Sequence, residues 1–235
     1  MRPIYISFYT DMYRLHAMKL IDSLDRFSLD RDVIELPSRE SWRLNCLRKP
    51  EYILQKLEQH ERAVVWIDAD GVVRNDPHLF ESLLSNGVHH AAHMSFRWRP
   101  RCKSEYLSGT MMFSSNDKTI RFLNGVIGMI RNDPHKYGGD QEYFRDGNRW
   151  MHETDPDWVS VDLPRSYCHI FDSELSGEEP VIDHHQASRR LKSKVGRHLR
   201  PFKLGDTGLE RGDRKRRCDF RATIHEYREG LSDED

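Results

Sequence analysis

The stretch Val64-Val65-Trp66-Ile67-Asp68-Ala69-Asp70-Gly71 constrains this chain more than any other. Four consecutive apolar residues read as a strand covered on both faces, the pattern of a sheet packed between helix layers. Asp68 and Asp70 are two positions apart, so an extended chain puts both carboxylates on one face. Gly71 and then Asn75-Asp76-Pro77 break the strand directly after them. Two carboxylates at the open end of a buried strand repel each other and lose water, and a divalent cation held by oxygen ligands offsets both costs. A strand end with two solvated aspartates has the same local sequence, so the rest of the chain decides between the two.

The flanking pattern alternates strands and helices. Ile4 to Tyr9 reads as a first strand, Tyr13 to Leu24 has helical spacing, and Val33 to Leu36 is a short second strand. Ser41 to Leu47 is helical or irregular, and Lys49-Pro50 opens a helix with proline in its first turn. His78 to Ser85 reads as a short helix, Val88 to Met94 as a strand, and Arg97 to Glu105 as a loop. Tyr106 to Phe113 is a strand with Gly109 inside it, a mark of a bulge or a close approach. Lys118 to Ile130 is an amphipathic helix. Gly138 to Phe144 is a loop feeding a short helix, and Trp158 to Leu163 and Val181 to His185 are strands. This order implies an α/β fold, a mixed sheet between helix layers.

Composition narrows the class. Of 235 residues, 37% are hydrophobic and 32% charged, and the mean hydropathy is −0.79, which suits a soluble chain. No apolar run reaches the roughly 18 residues of a membrane span, and Met1 to Ile6 does not read as a leader. Cys46, Cys102, Cys168 and Cys218 have no C-x-x-C spacing, so a reducing compartment without a zinc site is expected. The expected location is the cytoplasm, that of a host cell if the chain is phage-encoded. The formal net charge of −1 hides an asymmetry. Residues 186–228 hold 14 Lys/Arg against 5 Asp/Glu, residues 229–235 hold 4 acids and no base, and residues 1–185 carry −6. The basic segment is a candidate surface for polyanions. Residues 1–192 are expected to form the main domain and residues 193–235 a basic extension with an acidic end.

A cation at Asp68 and Asp70 needs further ligands, and His184 or His185 at the end of a late strand is the candidate. Imidazole nitrogen suits manganese better than calcium. Ser188, Arg189, Arg190 and Lys192 follow directly, and a metal beside several cations is what a diphosphate requires.

Taken in order, these segments resemble the GT-A glycosyltransferases, a Rossmann-like family using nucleotide-sugar donors. Tyr5 to Tyr13 resembles the family's base-binding start, which implies donor contacts from Thr10 and Asp11 and stacking of Tyr13 on the base. Arg48-Lys49-Pro50 resembles its donor-contacting helix start, placing Arg48 and Lys49 near the phosphates or sugar. Ile67-Asp68-Ala69-Asp70 is similar to its metal-binding Asp-x-Asp. Leu107-Ser108-Gly109-Thr110 resembles its Asn-(Ala/Ser)-Gly strand without the Asn, and implies donor contacts at Ser108 and Gly109. Gly139-Asp140-Gln141 resembles the Asp-Gln pair beside the reacting sugar, and His184-His185 with Ser188, Arg189, Arg190 and Lys192 the closing His and basic cluster. The resemblance covers residues 4–192. It implies Mn2+ (or Mg2+), a nucleotide-sugar donor with UDP the commonest carrier, and Asp140 and Gln141 as catalytic neighbours of a retaining reaction. An inverting reaction with Asp140 as general base stays open, as does a plain helix N-cap role for Asp140.

For the acceptor, Arg97, Trp98, Arg99 and Arg101 interleave cations with an aromatic, and Lys194, Arg197 and Arg200 extend the basic cluster. Phosphates laid there gain counterion-release affinity, and an aromatic can stack on a base or act as a wedge. The expected acceptor is therefore a 5-hydroxymethylpyrimidine in double-stranded DNA, reached by base flipping. A glycan or lipopolysaccharide core sugar is the alternative, and a non-catalytic nucleotide-sugar or nucleic-acid binding module is the second. Sequence does not set the oligomeric state.

Overall fold

The structure is a computed structural model, and it describes residues 2–97, 103–170, 175 and 177–185, with backbone alone at 95–97 and 103–105. Its strands are β1 (Ile4–Tyr9), β2 (Arg31–Glu35), β3 (Val64–Ile67), β4 (Gly71–Val73), β5 (His90–Arg97), β6 (Lys103–Phe113), β7 (Ser160–Asp162), β8 (His169–Ile170) and β9 (Ile182–His184). Its helices are α1 (Arg14–Arg26), α2 (Trp42–Leu47), α3 (Lys49–His60), α4 (Leu79–Ser85), α5 (Asp117–Asn132) and α6 (Gln141–Thr154). The main sheet runs β2-β1-β3-β6-β5-β7, and a small sheet runs β4-β9-β8. β1 pairs parallel with both β2 and β3, whereas β6 lies antiparallel to both β3 and β5. The expected mixed sheet between helix layers is thus present.

Strand periodicity explains the two cores. Ile4, Ile6, Phe8, Val64 and Trp66 point to one face, where they pack with Tyr52, Ile53 and Leu57 of α3, Phe122 and Val126 of α5, and Phe144 and Met151 of α6. Tyr5, Val65 and Ile67 point to the other, against Leu20 and Leu24 of α1 and Phe80 and Leu83 of α4. Alternate residues of one strand therefore enter opposite helix layers. All four residues of β3 are buried, as expected for a strand at the middle of a sheet covered on both sides.

Three expectations need correction. The segment from Arg97 to Glu105 is not all loop: β5 runs to Arg97 and β6 starts at Lys103, with Arg97 paired to Lys103. Cross-strand pairing overrides the charged composition there. The helix after Gly139 is long, 14 residues, rather than short. Asp68 and Asp70 are not on an extended strand. β3 stops at Ile67, and the Gly71 N–H donates to the Asp68 carbonyl at 2.7 Å, closing a tight turn. The expected extension 193–235, and with it the domain boundary at 192, lies outside the described residues. Among the described residues no helix is long and apolar enough to cross a membrane.

Histidines inside the fold give it an acid limit. His90 is 1% exposed, donates Nδ1–H to the Met112 carbonyl and accepts from the Tyr106 hydroxyl. Burial drives its pKa down to about 3, and burial also lowers His89 and His152. The His90 ring stays neutral in the fold while the unfolded chain takes up protons from about pH 6.5 downward. The contribution of His90 is fully present above that pH and falls as pH drops, by about 2 kcal/mol at pH 5. Urea midpoints should therefore decline between pH 7 and pH 5; a flat profile would contradict the neutral burial of His90.

Candidate active site

A cleft of about 450 Å3 opens where the central strands end. β1 and the short helical turn after it contribute Thr10 and Tyr13; the turn after β3 contributes Asp68, Ala69 and Asp70. β6 contributes Ser108 and Gly109, the loop into α6 contributes Gly138 to Glu142, and β9 contributes His184. The carbonyl of Gly109 accepts from the Asp68 N–H at 2.8 Å, which ties the turn to β6. Next to this point the β5–β6 register shifts, from Ala92 opposite Met111 to His93 opposite Leu107. Residues 108–110 therefore bulge at the cleft wall, as bulges next to functional sites do.

Lys49 is the centre of the cleft wall. It starts α3 and is only 4% exposed. Its ammonium lies 2.9 Å from Asp68 Oδ1 and 2.7 Å from Asp140 Oδ2, and donates to the Ser108 carbonyl at 3.1 Å and its hydroxyl at 3.3 Å. It also sits 5.1 Å above the Trp66 ring. The contact with Asp140 is charge on charge, since the geometry at Oδ2 is not that of an aligned hydrogen bond. Burial alone would lower the Lys49 pKa, but Asp140 and Asp68 outweigh it and raise it, so the ammonium stays charged. Its hydrogen bonds go to Ser108, while Asp68 and Asp140 both lie within ion-pair distance. Lys49 thus braces the Asp68 turn against Asp140 at the start of α6 while lining the cleft.

Asp68 also accepts from the Trp66 indole N–H, on the same Oδ1, at 2.8 Å. Some 38% of its side-chain surface opens onto the cleft. Desolvation raises its pKa, Lys49 opposes this, and Asp70 and Asp140 add to the rise. Asp140 precedes α6 but makes no side-chain cap bond there; its carboxylate, 4% exposed, is turned to Lys49 instead.

His184 is 5% exposed. Its Nε2 lies 2.8 Å from Thr110 Oγ1, and its Nδ1 lies 3.9 Å from Asp70 Oδ1. A Cβ added at Gly109 would meet the ring at 3.1–3.3 Å, and one at Gly71 would come within 3.2 Å of its Cε1. Both glycines leave room for the imidazole. Burial would lower its pKa, but Cys168 and Asp70 raise it to about 10. Tyr13 is pushed up to about 12 by burial, Asp70 and Cys46, so its ring is an uncharged face of the cleft.

The sequence-derived candidates separate into those the cleft collects and those it does not. Thr10, Tyr13, Lys49, Asp68, Asp70, Ser108, Gly109, Asp140, Gln141 and His184 line it. Asp11 is exposed outside it and 3.1 Å from Arg14. Arg48 lies over the Phe8 ring and donates to the Pro37 carbonyl. His185 lies beside Arg74 and Asp183. Trp98, Arg99, Arg101, Ser188, Arg189, Arg190, Lys192, Lys194, Arg197 and Arg200 lie outside the described residues, as does the side chain of Arg97. Lining residues not anticipated include Trp42, Cys46, Glu142 and Cys168. Trp42 and Cys46 had no signal, being on a short helix without clear periodicity.

Lys49→Met should cost roughly 3–5 kcal/mol, because it leaves two carboxylates close together without their counter-ion. Urea denaturation measures this, and an unchanged midpoint would show that the ammonium does not hold the site together.

No family model and no curated protein sequence matches the chain. Solved structures do. A glycosyltransferase involved in the glycosylation of the major capsid of PBCV-1 aligns with a TM-score of 0.61 at 12% identity, covering 85% of this chain and 100% of that one. The glycosyltransferase GlyE of Streptococcus pneumoniae TIGR4 aligns with a TM-score of 0.51 at 14% identity over 78% of this chain, which spans 54% of GlyE. The chain therefore has a glycosyltransferase fold, and its carboxylate- and histidine-lined cleft is built on that fold.

Proposed function

We propose that this protein is a cation-dependent GT-A glycosyltransferase that moves a sugar from a nucleoside-diphosphate donor, a UDP-sugar, to an acceptor hydroxyl. The observation that carries this reading is the meeting of Asp68, Asp70, Asp140, Lys49 and His184 in one cleft with an aromatic wall at Tyr13. Stacking a base on Tyr13 leaves the diphosphate to reach the Asp68–Asp70 turn.

The donor chemistry fits a divalent cation, Mn2+ or Mg2+. Asp68 and Asp140 face the ammonium of Lys49 and Asp70 faces the imidazole of His184, so the cleft gathers three carboxylates against two basic groups. Among the described residues no group of three or more His, Cys, Asp or Glu side chains is arranged to hold a metal ion by itself. In this reading Asp70 and His184, whose facing atoms are 3.9 Å apart, would hold the ion, and phosphate oxygens of the donor would supply the further ligands. The cation would neutralise the diphosphate and stabilise it as leaving group. His184 gives up its Nδ1 proton on taking this role.

The state of Asp140 supports a retaining reaction. A general base needs access to the acceptor proton. Asp140 is 4% exposed and lies 2.7 Å from the Lys49 ammonium, a placement that favours a positioned charge over a base reaching an acceptor hydroxyl. In this reading it is a fixed negative charge beside the developing positive charge of the sugar, with Gln141 as its polar neighbour.

Two acceptor classes remain, each with its own support. The basic residues beyond His185 and around Trp98 favour a 5-hydroxymethylpyrimidine in DNA. The cleft as described favours a neutral carbohydrate hydroxyl, because it shows Asp68, Asp70, Asp140 and Glu142 against an ammonium already engaged. The test is release of nucleoside diphosphate from a panel of nucleotide sugars with Mn2+, alone, with 5-hydroxymethylcytosine duplex DNA, and with a core oligosaccharide. The acceptor that stimulates release identifies the class. Asp70→Ala should lower turnover about 100-fold or more. No release with any donor, alongside salt-sensitive DNA binding, would leave a binding module instead.

A further inference from the structure

We propose that Thr110 is a positioning residue for the cation site: by engaging Nε2 of His184 it makes Nδ1 the ring nitrogen presented to the cation beside Asp70. The inference rests on the cation reading above. It is carried by the two faces of the imidazole. Nε2 lies 2.8 Å from Thr110 Oγ1, and the opposite nitrogen, Nδ1, faces Asp70 Oδ1 at 3.9 Å. The hydrogen bond made by one ring nitrogen decides which nitrogen is left to bind a metal. With Nε2–H donated to Thr110, Nδ1 is the nitrogen that would give up its proton and turn its lone pair to the ion shared with Asp70.

The surroundings allow the ring little freedom. Thr110 is fully buried, with a relative exposure of 0%, and it pairs with Ile67 one residue before Asp68. The hydroxyl is therefore anchored to the strand that carries the Asp68–Asp70 turn. Gly109 and Gly71 bring backbone close to the ring, and a Cβ at either position would crowd it at 3.1–3.3 Å. His184 itself is fixed through β9, whose Gly71–His184 pairing ties it to the strand following the turn. The His185 N–H donates to the Asp70 carbonyl at 3.1 Å, so the chain beyond the histidine is also tied to that turn. Ring orientation is the remaining freedom; Cys168 also contacts the imidazole, and the Thr110 hydroxyl is the group placed 2.8 Å from Nε2.

The experiment is Mn2+ uptake by the full chain, read from the EPR signal of the free ion, with and without UDP. Thr110→Val keeps the shape and removes the hydroxyl. It should weaken Mn2+ binding roughly 10–100-fold, and Thr110→Ser should restore it. A purely structural role would be read in the urea midpoint and would not be rescued selectively by a hydroxyl. A second measurement needs no variant: with Cd2+ as a diamagnetic probe, 15N shifts of the His184 ring should show the proton on Nε2 and the metal on Nδ1. Equal Mn2+ affinity in wild type and Thr110→Val, or a proton found on Nδ1, overturns the inference and leaves the cation reading standing. A wild-type protein that takes up no Mn2+ with or without UDP overturns both.

Discussion

The buried ammonium of Lys49 is the interaction on which the cleft depends. It draws together a turn after β3, a bulge in β6 and the start of α6, three places far apart in the chain. Without it, Asp68 and Asp140 would face each other across a poorly hydrated wall with nothing between them. Buried ion clusters are a doubtful source of net stability, because desolvation offsets most of the attraction. Their use here is geometric. Asp68 Oδ1 is held by both Lys49 and the Trp66 indole, so the carboxylate has one orientation and its other oxygen is the one left toward the cleft.

The sheet supplies the frame for this cluster. β3 lies between β1 and β6, buried on both faces, and its end is where two layers of helix part and the cleft opens. The turn from Asp68 to Gly71 then starts a second, smaller sheet that brings β9 back, and with it His184. Side chains that share no local sequence are thus placed on rigid elements and not on free loops, which suits a site whose chemistry depends on fixed charges.

Much of this frame was legible in the residues. The apolar run Val64 to Ile67, the proline-led start of α3 and the amphipathic spacing of α5 each reflect burial, and burial leaves a periodic trace. The Asp68–Asp70 pair and Gly109 were marked by their position at the end and in the middle of buried strands. What could not be read depends on distant partners. Local rules make Asp140 a helix cap, yet its carboxylate answers to Lys49, ninety-one positions earlier. Nothing near Lys49 in the sequence shows that its ammonium meets Asp68, Asp140 and Ser108. Alternation says that His184 and His185 face opposite ways, but the pairing of β9 with β4 decides which one faces the cleft. The strand ends at Arg97 and Lys103 were hidden by their charge, since cross-strand hydrogen bonds and not composition extend that hairpin.

The central claim is that this cleft takes up a nucleoside diphosphate through a cation held at the Asp68–Asp70 turn. Calorimetric titration of UDP into the protein tests it most directly, once with Mn2+ and once with the cation chelated. The account predicts binding that is at least about 10-fold tighter with Mn2+ and an Asp70→Ala protein in which that difference disappears. Equal affinity with and without the cation, or no binding in either condition, would contradict it.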